Sequence, residues 1–450
     1  MGFKKEMVWG VATSAYQIEG AAYEDGKGVS IWDAYCKEGH IYEQQTGDVA
    51  CDHYHHMKKD VKLMAELGIN AYRCSISWPR IFPNGIGKIN EKGIQFYSDL
   101  VDELLTYEIT PYVTLFHWDY PNALEMQGGW MNEESSKWFE EYAITVAKAL
   151  GDRVKHFITF NEPQIFTWLG YDKGIHAPGV KYHKTRILQM TRNIALAHGK
   201  AVTAIRKVVE GAIIGYAPTC GMAYYPIEET KECIEVARKM NSDIDRETWL
   251  YSAPFWNELM IHGRFHKKCY EFFEKELLEI TDNEKEIISQ PIDFCGMNIY
   301  QGTAVGIDKQ GNSKILPKPI GHPKTGMGWQ ITPPCIQWAP RFFFETYQLP
   351  VLITENGMSA HDAVSLDGKV HDPNRIDYLQ RHLLELEKAV KAGVDVMGYF
   401  QWSFMDNFEW EKGYNDRFGI VYVDYQTQQR IPKDSYYWYQ EMIKTYRQTN

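Results

Sequence analysis

No run of apolar residues in these 450 positions approaches the length of a membrane span. The opening Met1-Gly2-Phe3-Lys4-Lys5-Glu6 holds no apolar core of a secretion signal and no Ser or Thr at position six to suggest myristoylation. Basic charge is short: 48 Lys and Arg against 59 Asp and Glu leave a net charge of −11. That balance excludes nucleic acid and anionic membrane as partners, since both demand a basic face. The eight cysteines form no C-x-x-C pair and sit at irregular spacing, so they read as reduced thiols in a cytoplasmic protein. Low-complexity linkers and repeats of about 20–50 residues are missing, which excludes solenoids and arrays. No G-x-G-x-x-G follows the first strand-like segment, and Gly85-Ile86-Gly87-Lys88 lacks the full phosphate-loop pattern, so it reads as a turn. His53, His55 and His56 stand at i, i+2, i+3 of a helical stretch, poor geometry for a metal, and read as a partly exposed helix face.

Aromatic residues, by contrast, are abundant: 14% of the chain, with 14 Trp and 29 Tyr. Most belong in a core, but indole N–H groups need partners. The excess points to a cleft whose walls stack on the apolar C–H faces of sugar rings. A hydrophobic share of 44% supplies a large core, and 24% charged residues an ordinary soluble surface.

One pattern recurs along the chain, a short strand followed by an amphipathic helix. Strands are expected at 8–13, 71–75, 111–116, up to Glu162, 212–217, 292–298, up to Glu355, and 394–401. The first helix, 53–67, buries Met57, Val61, Met64 and Ala65 and stops at Gly68. Asn90 caps a second, with Ile94, Tyr97, Val101, Leu104 and Leu105 on one face. Further helices are expected at 133–150, 186–209 and 374–392, the last with Ile376, Leu379, Leu383, Leu386 and Val390 inward and Gly393 as its stop. The stretch 226–286 reads as helical and charged, and 301–332 as a long loop over the mouth. Eight such units point to a single-domain (β/α)8 barrel over residues 1–450, with long βα loops forming the mouth. A doubly wound sheet fits the alternation too, but lacks its glycine fingerprint.

Two stretches share a grammar that carries chemistry. Val351-Leu352-Ile353-Thr354-Glu355-Asn356-Gly357 is too apolar on both faces for a half-exposed strand, and it ends on a carboxylate. His156-Phe157-Ile158-Thr159-Phe160-Asn161-Glu162-Pro163 does the same, with Pro163 ending the ladder. A glutamate closing one strand is usually a solvated rim residue. Two at the same end of two parallel strands are what a barrel glycosidase needs. Other polar or aromatic residues collect at the same end: Gln17 and Glu19, Arg73, His117 with Trp118, Asn298 and Tyr300, and Trp402, Glu409 and Trp410. Singly, His117 reads as a satisfied core histidine, Trp118 as packing and Arg73 as a structural ion pair.

With these residues in view, the chain resembles glycoside hydrolase family 1, the β-glucosidase/β-galactosidase family, from about Trp9 to Tyr439. The matching blocks run from Trp9-Gly10-Val11-Ala12-Thr13-Ser14-Ala15-Tyr16-Gln17-Ile18-Glu19-Gly20 through Tyr72-Arg73-Cys74-Ser75-Ile76-Ser77-Trp78-Pro79-Arg80 to His117-Trp118-Asp119. They continue with Thr159-Phe160-Asn161-Glu162-Pro163, Ile353-Thr354-Glu355-Asn356-Gly357 and Arg430-Ile431-Pro432-Lys433-Asp434-Ser435. The resemblance implies Glu355 as nucleophile and Glu162 as general acid/base of a retaining β-glucosidase, with Arg73 and Tyr300 orienting Glu355. It further implies Gln17, His117, Trp118, Asn161, Asn298, Glu409 and Trp410 around the glycone, Trp402 beneath it and Trp329 on the leaving-group side. The implied substrate is a small β-glycoside, with side activity on β-galactosides and β-fucosides and no metal or cofactor. Met7 and Ile299 stand where the family usually has aromatics. Of the alternatives on this barrel, a 6-phospho-β-glycosidase typically has Ser where Glu409 stands, a thioglucosidase Gln where Glu162 stands, and a sugar-binding pseudoenzyme loses one of the two glutamates.

Overall fold

The computed structural model describes residues 2–220 and 223–449. Eight parallel strands close on themselves: β1 (Val8–Ala12), β2 (Ala71–Ser75), β3 (Thr110–Phe116), β4 (His156–Asn161), β5 (Ile213–Ala217), β6 (Phe294–Asn298), β7 (Val351–Asn356) and β8 (Val396–Trp402). Each pairs with its neighbour in chain order, and β1 pairs with β8 to seal the ring. The (β/α)8 expectation is met. Strands buried on both faces are largely apolar, and β2 and β7 have no exposed position.

The barrel axis is filled from the strands by Ala12, Ala71, Tyr112, Ile158, Ala217, Phe294, Leu352 and Phe400, with Trp402 and Phe418 above. Phe400 reaches the axis because Gly10 faces it: a Cβ there would lie 2.5 Å from the ring. A second, larger core lies between the strands and the surrounding helices.

The helices follow their predicted faces with small shifts. His53–Leu67 ends at Gly68, whose φ of 81° is the left-handed conformation that glycine adopts freely. In Glu91–Thr106 the buried stripe is Phe96, Tyr97, Leu100, Val101 and Leu104. It is centred slightly earlier than expected, which leaves Leu105 39% exposed at its edge. Asn90 precedes that helix but caps nothing; its amide donates to the carbonyls of Asp25 and Arg80. In Pro373–Lys391, Leu379, Leu383 and Leu386 are buried and Ile376 and Val390 half-buried.

The segment 301–332 is not all loop. Gly302–Ile307 pairs antiparallel with Ser313–Ile315 and parallel with Ala223–Pro226, making a small sheet beside the barrel. A helix not anticipated from sequence, Cys335–Tyr347, precedes β7. His53 is buried, bonded to Asp60 at 2.8 Å, and Arg430 closes on the same carboxylate; only His55 stands well out in solvent. Met7 is in the core, and so is Ile299, whose N–H donates to the Glu355 carbonyl. All eight cysteines are free and buried. Among the described residues no helix is long and apolar enough to cross a membrane.

Candidate active site

Both glutamates arrive at the same rim. Glu355 is the fifth residue of β7, and its register partner on β6 is Asn298. Glu162 follows β4 with φ of 43°, a left-handed conformation that a glutamate adopts only when its surroundings impose it. Here the Glu162 N–H donates to the Ala217 carbonyl of β5 at 2.7 Å, and Pro163 starts a short helix immediately afterwards. The sharp turn brings the carboxyl into the mouth.

One hydrogen-bonded chain joins the two acids. Arg73, fully buried on β2, donates to Glu355 Oε1 at 2.7 Å, to the Thr354 carbonyl at 3.0 Å and to Asn161 Oδ1 at 2.6 Å. Asn298 Nδ2 donates to the same Asn161 oxygen and to Glu162 Oε1, both at 3.0 Å, while the Thr354 hydroxyl donates to Asn298 Oδ1. Tyr300 OH completes the shell of Glu355, donating to Oε2 at 2.6 Å. Asn298 thus spends its side chain on protein partners around the acids.

The network also settles the state of His117. Because Arg73 only donates, the Asn161 atom facing it is the oxygen, so Nδ2 donates to His117 Nε2 at 3.0 Å. Nδ1 then carries the proton and has no protein partner among the described residues. Burial first and the Arg73 charge second hold His117 well below its ordinary range, so it stays neutral. Trp118 donates its indole N–H to the Asn161 carbonyl.

At the other end, Glu409 lines the pocket while Gln17 and Asn407 sit behind its wall, Gln17 Nε2 facing Asn407 Oδ1, the Phe408 carbonyl and Glu409 Oε2 at 2.8–3.3 Å. Trp402 lies parallel to His117, rings 5.9 Å apart, and Trp410 packs against Trp118 at 4.5 Å. Trp329 meets Tyr300 at 5.1 Å and Phe418 at 5.8 Å. These walls enclose about 250 Å³, below the usual range for drug-sized ligands and on the scale of a single sugar ring. A larger cavity of about 590 Å³ lies behind Cys220, between the small sheet and the helix Cys335–Tyr347. Among the described residues no pair of unbridged acids faces it, and its Lys268 and Asp243 neutralise each other.

The electrostatics separate the two catalytic candidates. Burial, then the Glu355 charge, pushes Glu162 up to about 8. Burial also raises Glu355, but the bonds from Arg73 and Tyr300 pull against it, so Glu355 loses its proton first. Burial raises Glu409 well above the carboxylate range, followed by the charges of Glu411, Asp416 and Glu355.

One rim residue does something else. Glu19 bonds to Arg80 at 2.9 Å and Tyr97 at 2.6 Å, fastening the barrel's flank and not facing the pocket. Conversely, Thr219, Trp168, His176, Tyr251 and Phe418 line the mouth without having been singled out in the sequence. Trp168, an aromatic six positions past Glu162 in a βα loop, is the one with a legible signal.

A closed barrel whose rim holds two buried, unequally supported carboxylates within aromatic walls defines a glycoside hydrolase. The chain belongs to glycosyl hydrolase family 1, whose family model matches residues 1–448. Beta-glucosidase A of Thermotoga maritima is 43% identical over 98% of both chains. A bifunctional beta-D-glucosidase/beta-D-fucosidase of Bifidobacterium breve is 38% identical, again over 98% of each. Among solved structures, the T. maritima β-glucosidase in complex with glucoimidazole superposes with a TM-score of 0.89 at 43% identity, covering 99% of each chain.

Proposed function

We propose that this chain, as one catalytic domain, is a retaining β-glucosidase that removes terminal β-D-glucosyl residues from cello-oligosaccharides and aryl or alkyl glucosides. Side activity on β-galactosides and β-fucosides accompanies it. The observation that carries the reading is the unequal treatment of two neighbouring acids: Arg73 and Tyr300 bond to Glu355 and not to Glu162. Glu355 is accordingly the nucleophile and Glu162 the acid held protonated near neutrality.

In the first displacement a Glu355 oxygen bonds to the anomeric carbon. The bond to the leaving oxygen breaks as Glu162 supplies its proton. Ester formation removes the charge on Glu355, so the pKa of Glu162 falls and its carboxylate becomes a base. Water then gives Glu162 a proton and attacks the same carbon, and the ester to Glu355 breaks with the β configuration restored. His117 Nδ1–H and the free Asn161 amide proton are donors for sugar hydroxyls, with Gln17, Glu409 and Trp410 at the far end, Trp402 beneath and Trp329 beside the leaving group.

Activity falls on the alkaline side as pH rises through the Glu162 value of about 8, because the acid has lost its proton. The acidic limb belongs to Glu355. Tyr300→Phe removes a donor that favours the charged form, so Glu355 ionises at higher pH and the acidic limb of kcat/KM moves up. The rate falls roughly 10- to 100-fold, the worth of one hydrogen bond to a charged group. A pH–rate profile checks this, and an unmoved acidic limb contradicts it.

Cellobiose should be hydrolysed in preference to its 6-phosphate, since a phosphate beside Glu409 would meet the negative charges of Glu411 and Asp416 and, among the described residues, no cation bonded to Glu409. Preference for the phosphorylated sugar would overturn the glucosidase reading in favour of a 6-phospho-β-glycosidase. Eight buried free thiols support a reducing compartment, and the location proposed is the cytoplasm.

A further inference from the structure

One contact ties together two loops on different sides of the mouth. His176 lies beyond the turn Trp168–Lys173 that follows the Glu162 helix, and it is 4% exposed. Its ring is edge-on to Trp32 at 5.3 Å and tilted against Trp118 at 5.9 Å. Its Nε2 meets Glu411 Oε2 at 2.7 Å. Glu411 is the middle residue of the single turn Trp410–Lys412, directly after Glu409 and Trp410 in the chain.

The turn is tied on either side: the Phe408 N–H donates to the Gln17 carbonyl, Gln17 Nε2 donates to Glu409 Oε2, and the Tyr414 N–H donates to Gln45 Oε1. Between those ties its backbone bonds are local, from Glu409 N–H to the Gly413 carbonyl and from Lys412 N–H to the Glu409 carbonyl, so the placing of Glu411 falls to its side chain. Trp410 packs on Trp32 and Trp118, the two rings that also hold His176. Glu411 and Asp416 bring two negative charges to the neighbourhood of Glu409. A second partner of Glu411, Lys412, is 3.6 Å away on a side chain 45% exposed. Burial pushes Glu411 upward, yet the bond and charge of His176 outweigh it and keep the carboxyl below its ordinary range.

We propose that His176 is a positioning residue for glycone specificity: by holding Glu411 it fixes the turn that presents Glu409 and Trp410 to the sugar. The inference rests on the β-glucosidase reading. Arg73, Asn161 and both catalytic acids gather at the anomeric end, whereas Gln17, Asn407 and Glu409 gather at the other. A sugar seated by C1 at the acids therefore turns its C4–C6 edge toward Glu409. Misplacing Glu409 penalises a substrate with a 6-hydroxyl more than one without it.

The test compares an aryl β-D-glucoside with its 6-deoxy counterpart, which differ by that hydroxyl alone. His176→Phe keeps the ring between Trp32 and Trp118 but loses the bond to Glu411. Its kcat/KM should fall about tenfold on the glucoside and less than about threefold on the 6-deoxy sugar. His176→Gln, which retains an N–H donor, should recover most of the difference. Equal losses on both substrates, or no loss, overturn the proposal. Should His176→Phe melt before assay, Glu411→Ala at the more exposed partner must give the same selective loss, and an equal or absent loss there is equally fatal. Wild-type inactivity on both sugars would instead remove the β-glucosidase reading, and this inference with it.

Discussion

Glu355→Gly should abolish hydrolysis of aryl β-glucosides, with a loss of roughly 10⁴- to 10⁶-fold, the scale on which an enzyme suffers when its nucleophile is removed and the rest of the site remains. Deleting the side chain leaves a gap on the α face of the anomeric carbon, while Glu162 and the glycone contacts stay in place. Azide fills such a gap. Added azide should therefore restore turnover of a substrate with a good leaving group and yield the α-glycosyl azide, identified by proton NMR. A β-azide product would mean that attack in the wild type comes from another residue. Restoration also separates a chemical loss from a folding loss, because a misfolded barrel does not regain activity on adding an anion. Arg73 is left without its carboxylate in this variant. Its bonds to Asn161 and the Thr354 carbonyl remain, which limits the collapse.

Glu162→Ala should have a different signature, because the two jobs proposed for Glu162 fall in different steps. Substrates whose leaving group needs a proton should lose on the order of 10²- to 10⁴-fold, the contribution of a well-placed general acid. Dinitrophenyl glucosides, whose leaving group departs unaided, should still form the glycosyl-enzyme. Without a base the second step is slow, so the intermediate accumulates, kcat drops and KM drops with it. Azide needs no base and should speed this step, giving the β-azide. The alkaline fall of kcat/KM near pH 8 should disappear with the group that causes it. A uniform loss across leaving groups would show that Glu162 is not the proton donor. The two variants together distinguish nucleophile from acid by the opposite configurations of their azide products.

The strands and the acids were legible in the sequence for a common physical reason. A strand buried on both faces is largely apolar, so its end at the barrel rim is marked by a carboxylate after an uncharged run. Glu355 after Val351-Leu352-Ile353-Thr354 and Glu162 after Phe157-Ile158-Thr159-Phe160-Asn161 are such points. Residues whose roles come from partners on distant elements were not legible. Glu19 looks like a rim residue until Arg80 and Tyr97 take it up, and His53 looks half-exposed until Asp60 and Arg430 bury it. The strand Gly302–Ile307, Gly-Thr-Ala-Val-Gly-Ile, has two glycines and no polar–apolar alternation, so no periodicity announced it. The helix Cys335–Tyr347 was masked by Pro333, Pro334 and the internal Pro340. The Glu409–Glu411 turn has no regular pattern at all. Its form follows from packing against loops contributed by other strands.

The seam between β1 and β8 has a consequence for how the molecule is made. β1 pairs along its length with β8, and the late helix Asp434–Thr449 reaches back to it, with Tyr439 OH donating to the Gly10 carbonyl and Trp9 packed against Tyr439 and Tyr446. A ribosome delivers β8 and this helix long after β1. Until they emerge β1 has no β8 to pair with, and an unpaired strand is the kind of edge on which chains aggregate. Sealing waits for β8, and the pocket wall at Trp402 and the turn at Glu409 arrive with it. The enzyme thus gains its ability to cut sugars in the same event that ends its exposure to self-association.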